Sequence, residues 1–113
     1  MLELRKETRF DVKKLPPVFK SLVVHGEMET FTCRTADAGT YGLGLMAEKD
    51  YFPLVQTGSK VRVDFGDFEV DTRVMNRLQS SLLGTEDFRF GLFLYDDSQL
   101  QPYWNLLGNI RAY

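Results

Sequence analysis

The stretch Val61-Arg62-Val63-Asp64-Phe65-Gly66-Asp67-Phe68-Glu69-Val70-Asp71-Thr72 alternates apolar and charged side chains on both sides of a Gly-Asp pair. Alternation with period two places the apolar set on one face of a strand. A two-residue loop that opens with glycine favours a primed turn, whose twist matches the flanking strands. The register then pairs Phe65 with Phe68, Val63 with Val70 and Val61 with Thr72, and leaves Arg62, Asp64, Glu69 and Asp71 facing outward. An isolated two-stranded hairpin is marginal in water, so this one needs further strands to cover its apolar face. That requirement commits the chain to an antiparallel sheet.

The same period recurs in short runs separated by turn residues. Val18 to Val24 is apolar and β-branched, and His25-Gly26-Glu27 turns the chain. Met28 to Ala36 alternates Phe31, Cys33 and Thr35 with Thr30, Thr32 and Arg34, and Tyr41 to Met46 alternates Gly42 and Gly44 with Leu43 and Leu45. A longer loop containing Ser80, Ser81 and Gly84 is expected before a last strand, Phe88 to Tyr95, in which Gly91 marks a bulge or a close backbone approach. After Asp96-Asp97-Ser98 the apolar spacing becomes three and four, through Leu100, Tyr103, Trp104, Leu107 and Ile110. This predicts a short helix from near Pro102 to near Gly108. Its stripe either packs the helix on the sheet or offers an aromatic patch to a partner. About six strands and one terminal helix read as a small antiparallel barrel with a helical lid, a mainly β fold. With 113 residues there is room for one core. No internal repeat stands out.

Several function classes are disfavoured by composition and spacing. No apolar run approaches the roughly 20 residues of a membrane-spanning helix, and the start of the chain lacks the apolar stretch of a secretory signal; a cytoplasmic location is expected. Cys33 is the sole cysteine, which removes internal disulfides and cysteine-built zinc sites, and its alternating neighbours point to a buried position. Residues 1–20 carry a balance of +3 and the remainder −5. An acidic body with a basic leading segment does not suit nucleic acid, which needs a broad positive footprint. It does suit capture of a compact dianion. No nucleophile–base set, metal cluster or paired catalytic carboxylate stands out, so neither an enzyme nor a resident cofactor is expected. His25, beside Gly26, reads as a turn residue. Gly42-Leu43-Gly44 lacks the third glycine of a dinucleotide fingerprint and opens no helix.

Two segments remain, Arg5-Lys6-Glu7-Thr8-Arg9 and Asp37-Ala38-Gly39-Thr40-Tyr41-Gly42. Each alone is equally a basic tail or an ordinary turn. In this order, ahead of and within a barrel-like pattern, an RxxxR segment and a D/NxSxxG-like segment resemble the PilZ family, with Gly39 where the family has serine. Members are small barrels that bind the bacterial second messenger cyclic dimeric GMP. The resemblance covers nearly the whole chain and implies one domain over 1–113, with a switch segment over 1–14, a barrel over 18–95 and a C-terminal helix over 98–110. It implies ligand contacts from Arg5, Arg9, Asp37, Gly39 and Gly42, with Lys6 and Thr40 as further candidates. The chemistry is consistent: a guanidinium forks onto guanine O6 and N7 or onto phosphate, and a carboxylate accepts from guanine N1–H and N2–H. Gly42 and Gly44 would allow close approach to backbone or supply positive φ.

The resemblance further implies a receptor that relays the messenger level to an effector protein governing motility, biofilm or polysaccharide output. The alternative is an interaction module on the same barrel that no longer binds nucleotide. Leu15-Pro16-Pro17 would set the leading segment apart from the barrel, free to order on binding. Leu4, just before Arg5, offers neither charge nor a planar group, which favours one ligand per site over a stacked pair.

Overall fold

The structure, a computed structural model, describes residues 8–108. In chain order it contains β1 (Arg9–Phe10), β2 (Leu22–His25), β3 (Thr30–Gly39), β4 (Gly42–Met46), β5 (Lys60–Asp64), β6 (Glu69–Leu82), β7 (Thr85–Phe93) and α1 (Gln101–Leu107). Six strands run β3-β2-β5-β6-β7-β4, and β4 closes the barrel on β3. β1 lies outside this ring, on the end of β3. The expected barrel with a C-terminal helix is what the chain forms.

The β5–β6 hairpin has the expected register, Val61 opposite Thr72 and Val63 opposite Val70. Gly66 sits at φ +98°, and Phe65 N–H donates to the Phe68 carbonyl at 2.9 Å. The Asp64 carboxylate accepts from Gly66 N–H at 2.7 Å, which reinforces the turn. The inward residues of this hairpin join Leu22, Val24, Leu45, Phe90 and Leu92 in one core. Cys33 is 3% exposed, and burial pushes its thiol up to about 12.

Three boundaries differ from the periodic reading. Val18 to Val24 is not one strand: Pro17–Lys20 forms a 3-10 turn and the strand starts at Leu22. Pro17 presets the turn's φ, and the turn drops Phe19 into the core at 2% exposure. The loop expected around Ser80 and Ser81 is instead strand, because β6 and β7 continue outward and meet at a two-residue turn, Leu83-Gly84. Both turn residues have positive φ, 53° and 81°, as a type I′ turn requires. β1 was not expected at all, since two residues carry no readable period.

The helix falls where its spacing placed it, after a 3-10 turn at Asp97–Gln99 capped by Asp96. Leu100, Tyr103 and Leu107 are buried, so the stripe is a packing face. Tyr103 is 0% exposed, and its hydroxyl donates to the Gly39 carbonyl at 2.7 Å. Trp104 is partly buried, and its Nε1–H donates to the Thr40 carbonyl at 2.9 Å. No helix among the described residues is long and apolar enough to cross a membrane.

Candidate functional site

The pairing of β1 with β3 sets Arg9 opposite Gly39 and Phe10 opposite Ala38. Thr40 secures this junction: its N–H donates to the Thr8 carbonyl at 3.0 Å, and its hydroxyl accepts from Thr8 N–H at 3.2 Å. The leading segment is therefore not set apart by Leu15-Pro16-Pro17 over residues 8–10, and Phe10 and Leu15 pack against the core. From β1 the Arg9 guanidinium reaches the Asp37 carboxylate, Nη1 to Oδ1, at 3.0 Å. The arginine of the first segment and the aspartate of the second thus meet on the barrel surface. Both side chains stay about half exposed, 51% and 54%.

The position of Asp37 has a local cause. β3 carries a bulge between Thr35 and Asp37, so Ala36 has no partner in β4 and Asp37 falls opposite Gly44. A bulge re-aims the side chain that follows it. A Cβ at Gly44 would lie 2.9 Å from both Asp37 carboxylate oxygens. Gly44 therefore gives the carboxylate its space. Positive φ among the described residues is confined to Gly58, Gly66, Leu83 and Gly84, so neither Gly42 nor Gly44 supplies a left-handed turn, and Gly44 serves close approach.

Around the ion pair lies an open groove of about 260 Å³, lined by Arg9, Asp37, Gly42 and Gly44 together with Asn76, Arg89 and Gly91. Sites that enclose a ligand usually hold roughly 300–1,000 Å³, so this groove is smaller than one that encloses a ligand. Of the residues expected to contact a ligand, Arg9, Asp37 and Gly42 are in its lining. Gly39 is buried beneath the Tyr103 hydroxyl, and Thr40 holds β1 and α1 rather than the groove. Arg5 and Lys6 lie outside the described residues. Asn76 and Arg89 were not singled out, because exposed polar residues on a strand carry no signal of their own; Gly91 did carry one.

A second cluster was also unforeseen. The side chains of His25, Asp64 and Glu69 place one ligand-type atom each within 4.8 Å of one another. Arg62 occupies Glu69 at 3.4 Å, and the other Asp64 oxygen caps the Gly66 turn. These groups already have structural roles in the β5–β6 turn.

No family model and no curated protein matches the chain. Solved structures do. The chain is similar to the PilZ domain with c-di-GMP of YcgR from Escherichia coli, at a TM-score of 0.62 and 15% identity, covering 89% of this chain and 82% of that one. It is also similar to the Borreliella burgdorferi PlzA protein in complex with c-di-GMP, at a TM-score of 0.55 and 13% identity. That match covers 96% of this chain and 54% of PlzA, so the chain spans about half of that protein's length. The closed six-stranded barrel, the added outer strand and the terminal helix are together a PilZ-like fold, and this is the fold of the chain.

Proposed function

We propose that the chain is a cyclic dimeric GMP receptor, and the observation that carries the reading is the Arg9–Asp37 contact at 3.0 Å. It joins two segments that the PilZ resemblance assigns to one ligand, beside a groove whose glycine positions keep side chains out of the way. In this reading Arg9 and Arg5 take phosphate and the acceptor edge of guanine, and Asp37 takes the donor edge. Ligand entry exchanges the Arg9–Asp37 pair for contacts to both partners. Gly39 and Thr40 act indirectly, by fixing β1 and so the direction of Arg9. Lys6 contributes charge. No catalytic step is assigned, and the site needs no cofactor or metal.

A relay to an effector protein is part of the same reading, and the helix supports it. Tyr103 and Trp104 donate to the carbonyls of Gly39 and Thr40, the residues that also hold β1. A ligand that pulls on Arg9 therefore acts on a junction of β1, β3 and α1, and α1 keeps one face toward solvent. The output would be motility, biofilm or polysaccharide control in a bacterial cytoplasm. The rival reading, an interaction module without nucleotide, is favoured by one fact: Asp37 is already neutralised by Arg9 within the chain.

A thermal-shift titration of the purified protein separates the two. Ligand at about 100 times its dissociation constant stabilises by about 2.7 kcal/mol, and each kcal/mol moves the midpoint of a domain near this size by roughly 4–8 °C. A rise of about 10 °C or more with cyclic dimeric GMP is expected. No rise at about 100 μM ligand would leave only the interaction module.

A further inference from the structure

The barrel face that carries Asp37 repeats itself. β4 and β7 pair antiparallel with Gly44 opposite Gly91. On the far side of β4, β3 runs Arg34, Thr35, a bulged Ala36 and then Asp37 opposite Gly44. On the far side of β7, β6 runs Arg73, Val74, a bulged Met75 and then Asn76 opposite Gly91. The correspondence holds residue for residue: Arg34 opposes Met46 as Arg73 opposes Phe93, and Ala38 opposes Leu43 as Arg77 opposes Phe90. Any antiparallel pair has a local twofold axis, but that symmetry does not oblige the next strand on each side to carry the same bulge at the same place. Here both do. Asp37 and Asn76 are equivalent positions about the Gly44–Gly91 pair.

Their side chains behave equivalently as well. A Cβ at Gly44 would lie 2.9 Å from the Asp37 carboxylate, and a Cβ at Gly91 would lie 2.8 Å and 2.9 Å from the Asn76 carboxamide oxygen and nitrogen. Each planar polar group leans inward over a glycine of the neighbouring strand. The row Asp37–Gly44–Gly91–Asn76 crosses four strands, three spacings or about 14 Å along the sheet, and all four residues line the groove. Arg89, exposed on β7 opposite Met46, lines it too.

We propose that Asn76 and Arg89 hold the second half of a twofold-symmetric cyclic dinucleotide, opposite the half held by Arg9 and Asp37. This deepens the receptor reading and rests on it. A ring of two identical nucleotides presents the same base edge and the same phosphate twice, related by a twofold axis, as the groove does. The Asn76 carboxamide oxygen accepts from the second guanine as the Asp37 carboxylate accepts from the first. A carboxamide there, rather than a second carboxylate, avoids a further negative charge beside two phosphates. Among the described residues β5 pairs with β6 only as far as Arg73 and no strand stands beside Arg77 as β1 stands beside Ala38, so the cation on this side comes from within the row's own strands, at Arg89. One ligand then spans the groove, with a stoichiometry of one.

The test is a double-mutant cycle on cyclic dimeric GMP affinity with Asn76→Ala, Gly91→Ala and the pair, beside wild type and Arg89→Ala. Asn76 and Arg89 are exposed, and the atoms nearest a Cβ added at Gly91 belong to the movable end of Asn76, so all variants should fold with wild-type circular dichroism. Asn76→Ala and Arg89→Ala should each weaken binding about tenfold. Gly91→Ala should weaken it comparably by displacing the carboxamide, and that loss should disappear in the Asn76→Ala background. Wild-type protein that binds while Asn76→Ala and Arg89→Ala match it within about twofold overturns this inference and leaves the receptor reading standing. Wild-type protein that does not bind overturns both. Equal Gly91→Ala losses with and without Asn76 show that the glycine, not the carboxamide, is what the ligand meets, and also overturn the assignment of Asn76.

Discussion

Arg9 and Asp37 form an exposed ion pair, and pairs of that kind contribute only about 0–1 kcal/mol to folding. Their effect on a bound dianion is of another size, because hydrogen bonds to charged groups are worth about 1.5–3 kcal/mol. Arg9→Ala should therefore leave the melting midpoint within a few degrees of wild type while weakening cyclic dimeric GMP binding by about 1.5–3 kcal/mol. Calorimetry on the variant checks both halves, and a variant that melts early yet binds normally would make Arg9 a structural residue. Thr35 shows the converse case. It is 7% exposed on β3, and its hydroxyl oxygen finds no partner among the described residues. A buried polar group left unpaired costs about 1–3 kcal/mol, and valine has the same shape. Thr35→Val should raise the midpoint in a thermal melt without changing ligand affinity; a lower midpoint would show that the hydroxyl is satisfied in solution.

At the scale of elements, the β6–β7 arm shows where pattern reading succeeds and where it stops. From Val70 to Val74 the apolar alternation is legible because one face is buried in the barrel. Beyond Asn76 the arm projects from the barrel, so Leu78, Gln79, Ser80 and Ser81 are all exposed and no period survives. Ser-Ser then reads as loop although backbone pairing continues to Leu82 opposite Thr85. The turn at its tip is also disguised, since Leu83 holds φ +53° with a 95% exposed side chain. A left-handed conformation costs an L residue about 1–2 kcal/mol, and Asn-Gly is the preferred pair for this turn. Leu83→Asn should stabilise the protein by about 1 kcal/mol, read as a midpoint shift of several degrees; a loss would mean that the Leu83 side chain is held by something in solution. The two bulges were illegible for a related reason. Ala36 and Met75 each break the alternation by one residue, and the two strands share only an arginine and a Gly-Leu step in their partners, too little to show as a repeat. The Arg9–Asp37 juxtaposition, by contrast, was legible in part, because arginine spacing and a short polar turn do not depend on burial.

Across the molecule, the fold joins the groove-lining end of β3 to the C-terminal helix through the Tyr103 and Trp104 hydrogen bonds. Away from the groove, the turn before that helix is tied down by Gln99 and Asp71, which exchange two hydrogen bonds: Asp71 N–H donates to Gln99 Oε1 at 2.8 Å and Gln99 Nε2–H donates to Asp71 Oδ2 at 2.9 Å. The Gln99 amide, and after it Arg62, holds the Asp71 carboxyl below its usual value against the opposing effect of burial. A carboxyl with a lowered folded value binds its proton more readily when unfolded, so its contribution is present above the unfolded value near 3.9 and is lost as pH falls through the folded one. Melting midpoints taken between about pH 6 and about pH 3 should fall less steeply for Asp71→Asn than for wild type. Parallel curves would remove Asp71 from the acid response.

In the proposed receptor, Arg9 and Asp37 belong to one site that reads guanine in a cyclic dinucleotide. Isothermal titration of the wild-type chain with cyclic dimeric GMP and, separately, with cyclic dimeric AMP tests it directly. Adenine presents an amino donor where guanine presents O6, so an arginine fork loses one acceptor, and the adenine edge lacks the N1–H donor that Asp37 would accept. Saturable binding of cyclic dimeric GMP at one ligand per chain is expected, with the adenine analogue at least tenfold weaker. Equal affinity for both, or no heat with either at about 100 μM, roughly 5 kcal/mol of binding free energy, would contradict it.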